Sequence, residues 1–451
     1  MTTNGYALAN DFYEYTMAAA YFDKGLHVNA SFELFVRRLP RDRAYLIAAG
    51  IDEALDYLEN LRFSGEEIDF LRRQPAMHNV SGGFFEHLRE LRFTGDADSM
   101  DEGRPFFANE PVFRIAGPII QAQIIETALL SIVGFATAIA SKAARVVDAA
   151  EGRAVSEFGA RHAHGMEAGI RAARAAYLAG CASTSNVEAG RRFNIPLSGT
   201  MAHSFVMAYE DELEAFRDFC DVFPHSATLL LDTYDTMRGL EAMLRAGLHP
   251  AAVRLDSGNL LELSQRVRRR LDESGLGDVK IVATSDLNEY RIAELLAGGA
   301  PIDAFGVGTE ISTSKDHPAL SAVYKLVHIG GEAAGDRVKL SEEKHTFPGC
   351  KQVWRFRDGS GQIQRDLVTA IDESYDAEPL LQRRFIRGRR VHHPLPLNEL
   401  RERCLAWRGE MPQAMRRHDS HTPYTIEISE RLHTELDEAR QRIQRKVEVE
   451  S

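Results

Sequence analysis

The sequence predicts an α/β protein: an irregular parallel βα barrel plus a mixed α+β domain formed from the N-terminal and C-terminal parts of the chain. Three observations carry that prediction. From about residue 150, short apolar runs end in polar clusters, and each cluster opens a helical pattern: AVSEFGARHAHG, IPLSGTMAHS, ATLLLDTYDT, AVRLDSGN, KIVATSDLN and IDAFGVGTE. Their spacing, roughly 20 to 45 residues, is that of βα units with parallel strands. Six such units in a row favour a barrel, although periodicity alone also admits an open doubly wound sheet. Outside this stretch the pattern is mixed, and 451 residues are enough for two or three domains with a sizeable core.

In chain order, DFYEYTMAAAYFDKG predicts a helix closed by Gly25, NASFELFVRRLP a strand, and AYLIAAGIDEALDYLENLRF a second helix. The apolar stretch IIQAQIIETALLSIVGFATAIASKAARVVDAA predicts two helices broken near Gly134. Beyond about 330, RVKLSEEKHTFPGCKQVWRFRDGSGQIQRDLVTAID reads as strands with a DGSG hairpin turn. Such strands cannot extend a finished barrel, so they are expected to return to the N-terminal domain. TIEISERLHTELDEARQRIQRKVEVE predicts a charged amphipathic helix with a solvated face. The expected domains are therefore 1–110 (mixed α+β), 111–330 (βα barrel) and 331–451 (completing the first).

Composition narrows the function. With 44% hydrophobic and 27% charged residues the chain is an ordinary globular one. A net charge of −12 argues against a nucleic-acid or anionic-membrane partner, so positive charge for an anionic substrate must be local. The four cysteines, Cys181, Cys220, Cys350 and Cys404, form no C-x-x-C pair, which fits reduced thiols in the cytoplasm and no zinc site. The N-terminus lacks the basic and apolar regions of a signal peptide, and no window reads as the roughly 18 apolar residues of a membrane span.

The strand ends carry the chemistry. They offer Phe158 and Arg161, then Thr200 and His203, then Asp232 and Asp235, then Arg254 and Asp256, and last the GVGTEISTS loop with Gly306 and Gly308. Singly, each has a plain structural reading: Asp235 and Asp286 as helix caps, glycines for a tight turn, Arg254 bridging strands, His203 opening a helix. Together, in a barrel, they converge on one mouth with helix N-termini facing it. Two arginines, two carboxylates, one imidazole and a glycine loop suit a phosphorylated sugar. The fitting reaction is displacement at an anomeric carbon. Asp256 would hold the ribose hydroxyls and stabilise oxocarbenium charge, arginines would bind the departing diphosphate, and Phe158 would stack a planar base.

NDFYEYTM, SEFGARHAHG, STSNV, IPLSGTMAHSF, VRLDSGN, GVGT and FPGCKQVWR, in this order, resemble the nicotinate phosphoribosyltransferase family. The resemblance covers nearly the whole chain, including HDSHTPYTIEISE. It implies a dimeric type II phosphoribosyltransferase that joins nicotinate to 5-phosphoribosyl diphosphate, giving nicotinate mononucleotide and diphosphate. ATP hydrolysis, with Mg²⁺, is coupled to that step. It further implies that ATP phosphorylates His203, with Asp232 as the carboxylate on its other nitrogen, and that Tyr13 reaches across the dimer to sandwich the pyridine ring against Phe158. Thr200 and Arg254 would contact the nicotinate carboxylate, Arg161 the diphosphate, and Gly306, Gly308, Thr309 and Thr313 the 5′-phosphate. Arg37, Lys344 and Lys351 would be further phosphate ligands; no protein metal-ligand set is implied.

Some positions depart from the family pattern. His162 stands where an Arg is usual, Asn259 replaces an acid, and Glu188 and Arg191 replace an apolar residue and a Lys. Asn259 resembles the nicotinamide-using relatives, which carry an Asp where this chain has Ser185. An Asp would repel a carboxylate and a Ser would not, so Ser185 favours nicotinate. The alternatives are transfer to nicotinamide or another small heteroaromatic acid, and a non-catalytic protein that binds phosphoribosyl groups or nucleotides.

Overall fold

The computed structural model describes residues 6–332, 334–339, 346–419 and 424–450. Six parallel strands form its central sheet, in the order Ser183–Thr184, Ala154–Glu157, Ala304–Val307, Lys280–Ala283, Ala252–Leu255, Thr228–Leu230. The sheet curls without closing. Leu197 bridges to Thr184 at one edge, and just beyond it Thr200 meets Arg254, while His203 meets Thr233 beyond the opposite edge strand. Side chains, rather than a backbone ladder, complete the ring. IPLSGT, expected as a strand, contributes that single bridge, and the sixth strand is the short Ser183–Thr184.

A seven-stranded antiparallel sheet joins the two ends of the chain. Asn29–Val36 lies between Ala322–Ile329 and Pro111–Pro118, and Gln382–Ile386 pairs with Asp96–Ser99. Phe32 stacks on Tyr324 with ring centroids 4.9 Å apart, an offset-compatible aromatic pair across the ladder. The sheet takes in Pro111–Pro118 and Ala322–Ile329, stretches the sequence assigned to the ends of the barrel unit. Both pair antiparallel with Asn29–Val36, a partner the parallel sheet does not offer.

Lys351–Arg357 and Ile363–Ala370 form the expected hairpin, in which Asp358 accepts the Ser360 and Gln362 N–H groups. They build a separate four-stranded sheet with Glu378–Pro379 and Thr425–Ile428. The TIEI start of the last predicted helix is thus a strand, its period of two outcompeting helix, and the helix begins at Glu430.

Two further expectations change. AYLIAAG contains the strand Leu46–Ile47, and the helix starts at Ile51 after Gly50, whose φ of +80° a side chain would not tolerate. The long apolar stretch breaks at Ile124–Ile125 rather than Gly134: Glu126–Ala149 is one helix, whose packing outweighs the roughly 1 kcal/mol cost of an internal glycine. Contrary to the sequence reading, an 18-residue window within Ile119–Ala149 is apolar enough to cross a membrane, with mean hydropathy 1.8, but 67% of that window is buried inside the fold. The helix also carries buried charge. Lys142 lies 2.7 Å from Glu289, 3.2 Å from Glu310 and 3.4 Å from Asp316, and Arg145 lies 2.9 Å from Glu289. These pairs tie the helix to the segments following two strands of the parallel sheet, including the one opened by GVGT.

Glu14, buried in the helix Phe12–Asp23, accepts the Thr127 N–H and hydroxyl on one oxygen and leaves the other unpartnered among the described residues. Burial, opposed by those two bonds and reinforced by Glu126 and Asp11, pushes its carboxyl up to about 7. The folded state therefore holds a proton that the unfolded chain releases near pH 4.5. Unfolding free energy is expected to fall as pH rises from there through about 7, and Glu14→Gln to flatten that slope in denaturant titrations across pH.

Candidate active site

The ends of the curled strands converge on one polar cluster. Arg254, the third residue of Ala252–Leu255, points along the sheet face and uses its whole guanidinium. Nε donates to Thr284 at 2.9 Å, one terminal nitrogen to Thr200 at 2.9 Å, and the other to Asp256 at 2.7 Å. Thr284 also donates to the same Asp256 oxygen. The second Asp256 oxygen lies 3.6 Å from His203 Nε2. Burial would raise the Asp256 carboxyl, but the Thr284 hydrogen bond, Arg254 and His203 together hold it below the usual carboxylate range. It is a fixed anion at the mouth.

His203 opens the helix His203–Met207, with Nδ1 3.2 Å from the Thr233 hydroxyl and a half-exposed ring. The expected pairing with Asp232 is not formed. Asp232 instead accepts the Asp256 N–H at 3.0 Å and the Ser257 hydroxyl at 2.5 Å, because the neighbouring strand end presents those donors directly to it. Its other oxygen is buried without a partner among the described residues. Asp232 thus holds the Asp256 backbone in place.

Phe158 follows the strand Ala154–Glu157, and its N–H donates to Val307 O at 2.8 Å. A side chain at Gly306 would have its first carbon 2.6 Å from the Phe158 ring and from the Thr284 methyl, so the glycine makes room for the ring. Gly306→Ala is expected to push Phe158 outward and to cost roughly 1–3 kcal/mol of stability, read by thermal melts. Gly308 packs on the Phe158 carbonyl, and the Thr313 hydroxyl turns back to Thr309 O at 2.7 Å. Arg161 is exposed, with no side-chain hydrogen bond or ion pair among the described residues, and the neighbouring His162 Nδ1 bonds the Thr309 hydroxyl. The departure at His162 therefore sits against the glycine loop. Ser185 is exposed at the end of Ser183–Thr184, its N–H bound to Glu157 O at 3.0 Å.

The cluster does not gather every residue expected. Tyr13 is exposed in the first turn of Phe12–Asp23, a helix packed on the seven-stranded-sheet unit. Arg37 lines a separate cavity of about 650 Å³ between the seven-stranded antiparallel sheet and the four-stranded mixed sheet, with Arg38 and Ser321. Lys351 also borders it, but its ammonium is buried and committed to Glu33 at 2.8 Å and to the carbonyls of Phe347 and Gly349. It is a structural cation rather than a free phosphate ligand. Lys344 lies outside the described residues. Asp235 caps the helix Thr236–Arg245, as expected, but Asp286 caps nothing: Asn288 caps Glu289–Ala297 instead. Asn259 caps Leu260–Glu273, which an acid would do equally well, and Glu188 and Arg191 pair on an exposed helix.

Sequence reasoning missed Thr284, Thr233 and Glu157. Thr284 stands at a strand end in register with Asp256, so the alignment of KIVATSDLN with AVRLDSGN was the available signal.

A curled parallel sheet whose strand ends gather an arginine-clamped carboxylate, an imidazole and a glycine loop beneath an aromatic ring defines an α/β enzyme for a phosphorylated substrate. Three family models match: the nicotinate phosphoribosyltransferase N-terminal domain over residues 8–134, the nicotinate phosphoribosyltransferase family over 154–339, and the C-terminal domain over 322–436. A nicotinate phosphoribosyltransferase of Mycobacterium tuberculosis is 42% identical over 95% of this chain and 93% of its own length. One from Bacillus subtilis is 42% identical over 86% and 79%. The crystal structure of human nicotinic acid phosphoribosyltransferase superposes with a TM-score of 0.83 at 27% identity, covering 95% of this chain and 99% of that one. The chain belongs to the nicotinate phosphoribosyltransferase family.

Proposed function

We propose that the chain transfers the 5-phosphoribosyl group of phosphoribosyl diphosphate to the ring nitrogen of nicotinate, releasing diphosphate and forming nicotinate mononucleotide for NAD salvage. The observation that carries this reading is Asp256, an anion preorganised by Arg254, Thr284 and the backbone bond to Asp232 at the point where the glycine loop and Phe158 meet. Loss of diphosphate leaves positive charge on the anomeric carbon, and a carboxylate held in place before that charge develops stabilises it without reorganising. In this reading Phe158 stacks on the pyridine ring, the bonded pair Thr200 and Arg254 takes its carboxylate, and Ser185 adds no negative charge against it.

ATP coupling through His203 is part of the same proposal. A neutral imidazole is a competent phosphoryl acceptor, and the Thr233 hydroxyl and Asp256 carboxylate beside it fix its orientation. No group of three metal-ligating side chains lies together among the described residues, so magnesium would be held chiefly by the substrates' phosphates with one or two carboxylates. The aromatic cover from Tyr13 belongs to a second copy in this reading, and the exposed position of Tyr13 on one chain supports a homodimer. The proposed setting is the cytoplasm, with no nucleic-acid or membrane partner.

Purified protein incubated with nicotinate, phosphoribosyl diphosphate, Mg²⁺ and ATP is expected to release diphosphate with matching mononucleotide. Donor binding in calorimetry with no diphosphate released would overturn the enzymatic reading in favour of a binding protein.

A further inference from the structure

We propose that Glu157 is a positioning residue for the base, setting the spacing between the ring-stacking Phe158 and the Ser185 loop that faces the ring's substituent. This rests on the nicotinate reading above. Glu157 is the last residue of Ala154–Glu157 and has no exposed surface. Its two carboxylate oxygens hold two different loops. Oε1 accepts the Gly159 N–H at 2.6 Å, and Oε2 accepts the Thr184 hydroxyl at 2.7 Å. The Thr184 oxygen in turn accepts the Asn186 N–H at 3.0 Å, and the Glu157 carbonyl accepts the Ser185 N–H at 3.0 Å. The segments carrying Phe158 and Ser185 are therefore both pinned to Glu157, through its side chain and its carbonyl. Phe158 is fixed from both ends, by its own N–H to Val307 and by the next residue's N–H to Glu157.

The arrangement has a chemical cost that an apolar residue would avoid. Burial raises the Glu157 carboxyl, and only the Thr184 and Gly159 bonds oppose that rise. Without it, a buried N–H and a buried hydroxyl would lose their acceptor, and the two loops would be held only by the strand ladder and the Ser185 N–H bond to the residue 157 carbonyl. Glu157 touches no reacting atom in this geometry; it acts through Phe158 and Ser185.

The test compares wild type with Glu157→Gln and Glu157→Ala by steady-state kinetics for nicotinate, nicotinamide and phosphoribosyl diphosphate, with thermal melts alongside. Gln keeps an acceptor for Gly159 and a polar partner for Thr184, so its KM for nicotinate should stay within about threefold of wild type. Ala should raise that KM about tenfold or more and narrow the preference for nicotinate over nicotinamide, with KM for the donor moved less than about threefold, since misplacement of a positioning group is costly. If the Ala variant fails to fold, Glu157→Asp, too short to reach both loops, carries the same expectation. A folded Ala or Asp variant with unchanged KM for nicotinate, or equal losses for both substrates, would overturn the inference while leaving the function intact. Wild type without nicotinate turnover would overturn the function, and this inference with it.

Discussion

Replacing Asp256 by Asn is expected to lower kcat about 10²- to 10³-fold with little change in melting temperature, the scale seen when one preorganised electrostatic group is removed. The substitution is nearly isosteric. One amide oxygen can still accept from Arg254 and Thr284, and the backbone N–H to Asp232 is untouched. What disappears is the negative charge, and an N–H₂ group now faces His203, 3.6 Å from the original oxygen. If the carboxylate stabilises charge that exists only as diphosphate leaves, kcat must fall far more than KM for nicotinate rises. An equal rise in KM with kcat preserved would assign Asp256 to ground-state binding instead.

The second large effect is at His203. Wild-type protein incubated with Mg-ATP at neutral pH is expected to gain one phosphoryl group by intact mass, and His203→Ala to gain none. The mutant should also lose stimulation of turnover by ATP while retaining slow, uncoupled transfer, because Asp256, Arg254 and the glycine loop remain in place. The ring has the surroundings an acceptor needs: half exposed, with one nitrogen beside a hydroxyl and the other beside a carboxylate. No phosphoryl gain in wild type would reduce His203 to a group that orients Asp256.

Much of this was legible in the sequence because strand ends in a βα architecture are marked twice, by an apolar run before them and a helix pattern after. Phe158, Arg254, Asp256 and Gly306 were readable on that basis, and the structure brings them within one cluster. What could not be read were contacts between non-adjacent strands. Asp232 follows the edge strand Thr228–Leu230 and His203 the single bridge at the other edge, so whether the carboxylate meets the ring or the Asp256 backbone depends on the closure of the sheet. Lys351 shows the same limit: beside FPGC it reads as a phosphate-ligand candidate, but a contact between the four-stranded and seven-stranded sheets buries it on Glu33. IPLSGT reads as a strand because one apolar run beside a Gly looks alike whether it pairs along its length or, as here, at Leu197 alone. Gly134 misled for the opposite reason. Local propensity favoured a break, and the packing of Glu126–Ala149 in the middle of the fold overrode it.

The most direct measurement is kcat/KM for nicotinate and for nicotinamide, side by side, with phosphoribosyl diphosphate, Mg²⁺ and ATP and with the mononucleotide product identified by mass. The account predicts nicotinate mononucleotide with a preference for nicotinate of at least about 10²-fold, since a site that pairs a carboxylate discriminates against the ligand lacking it. Equal use of both bases, or a preference for nicotinamide, would contradict it.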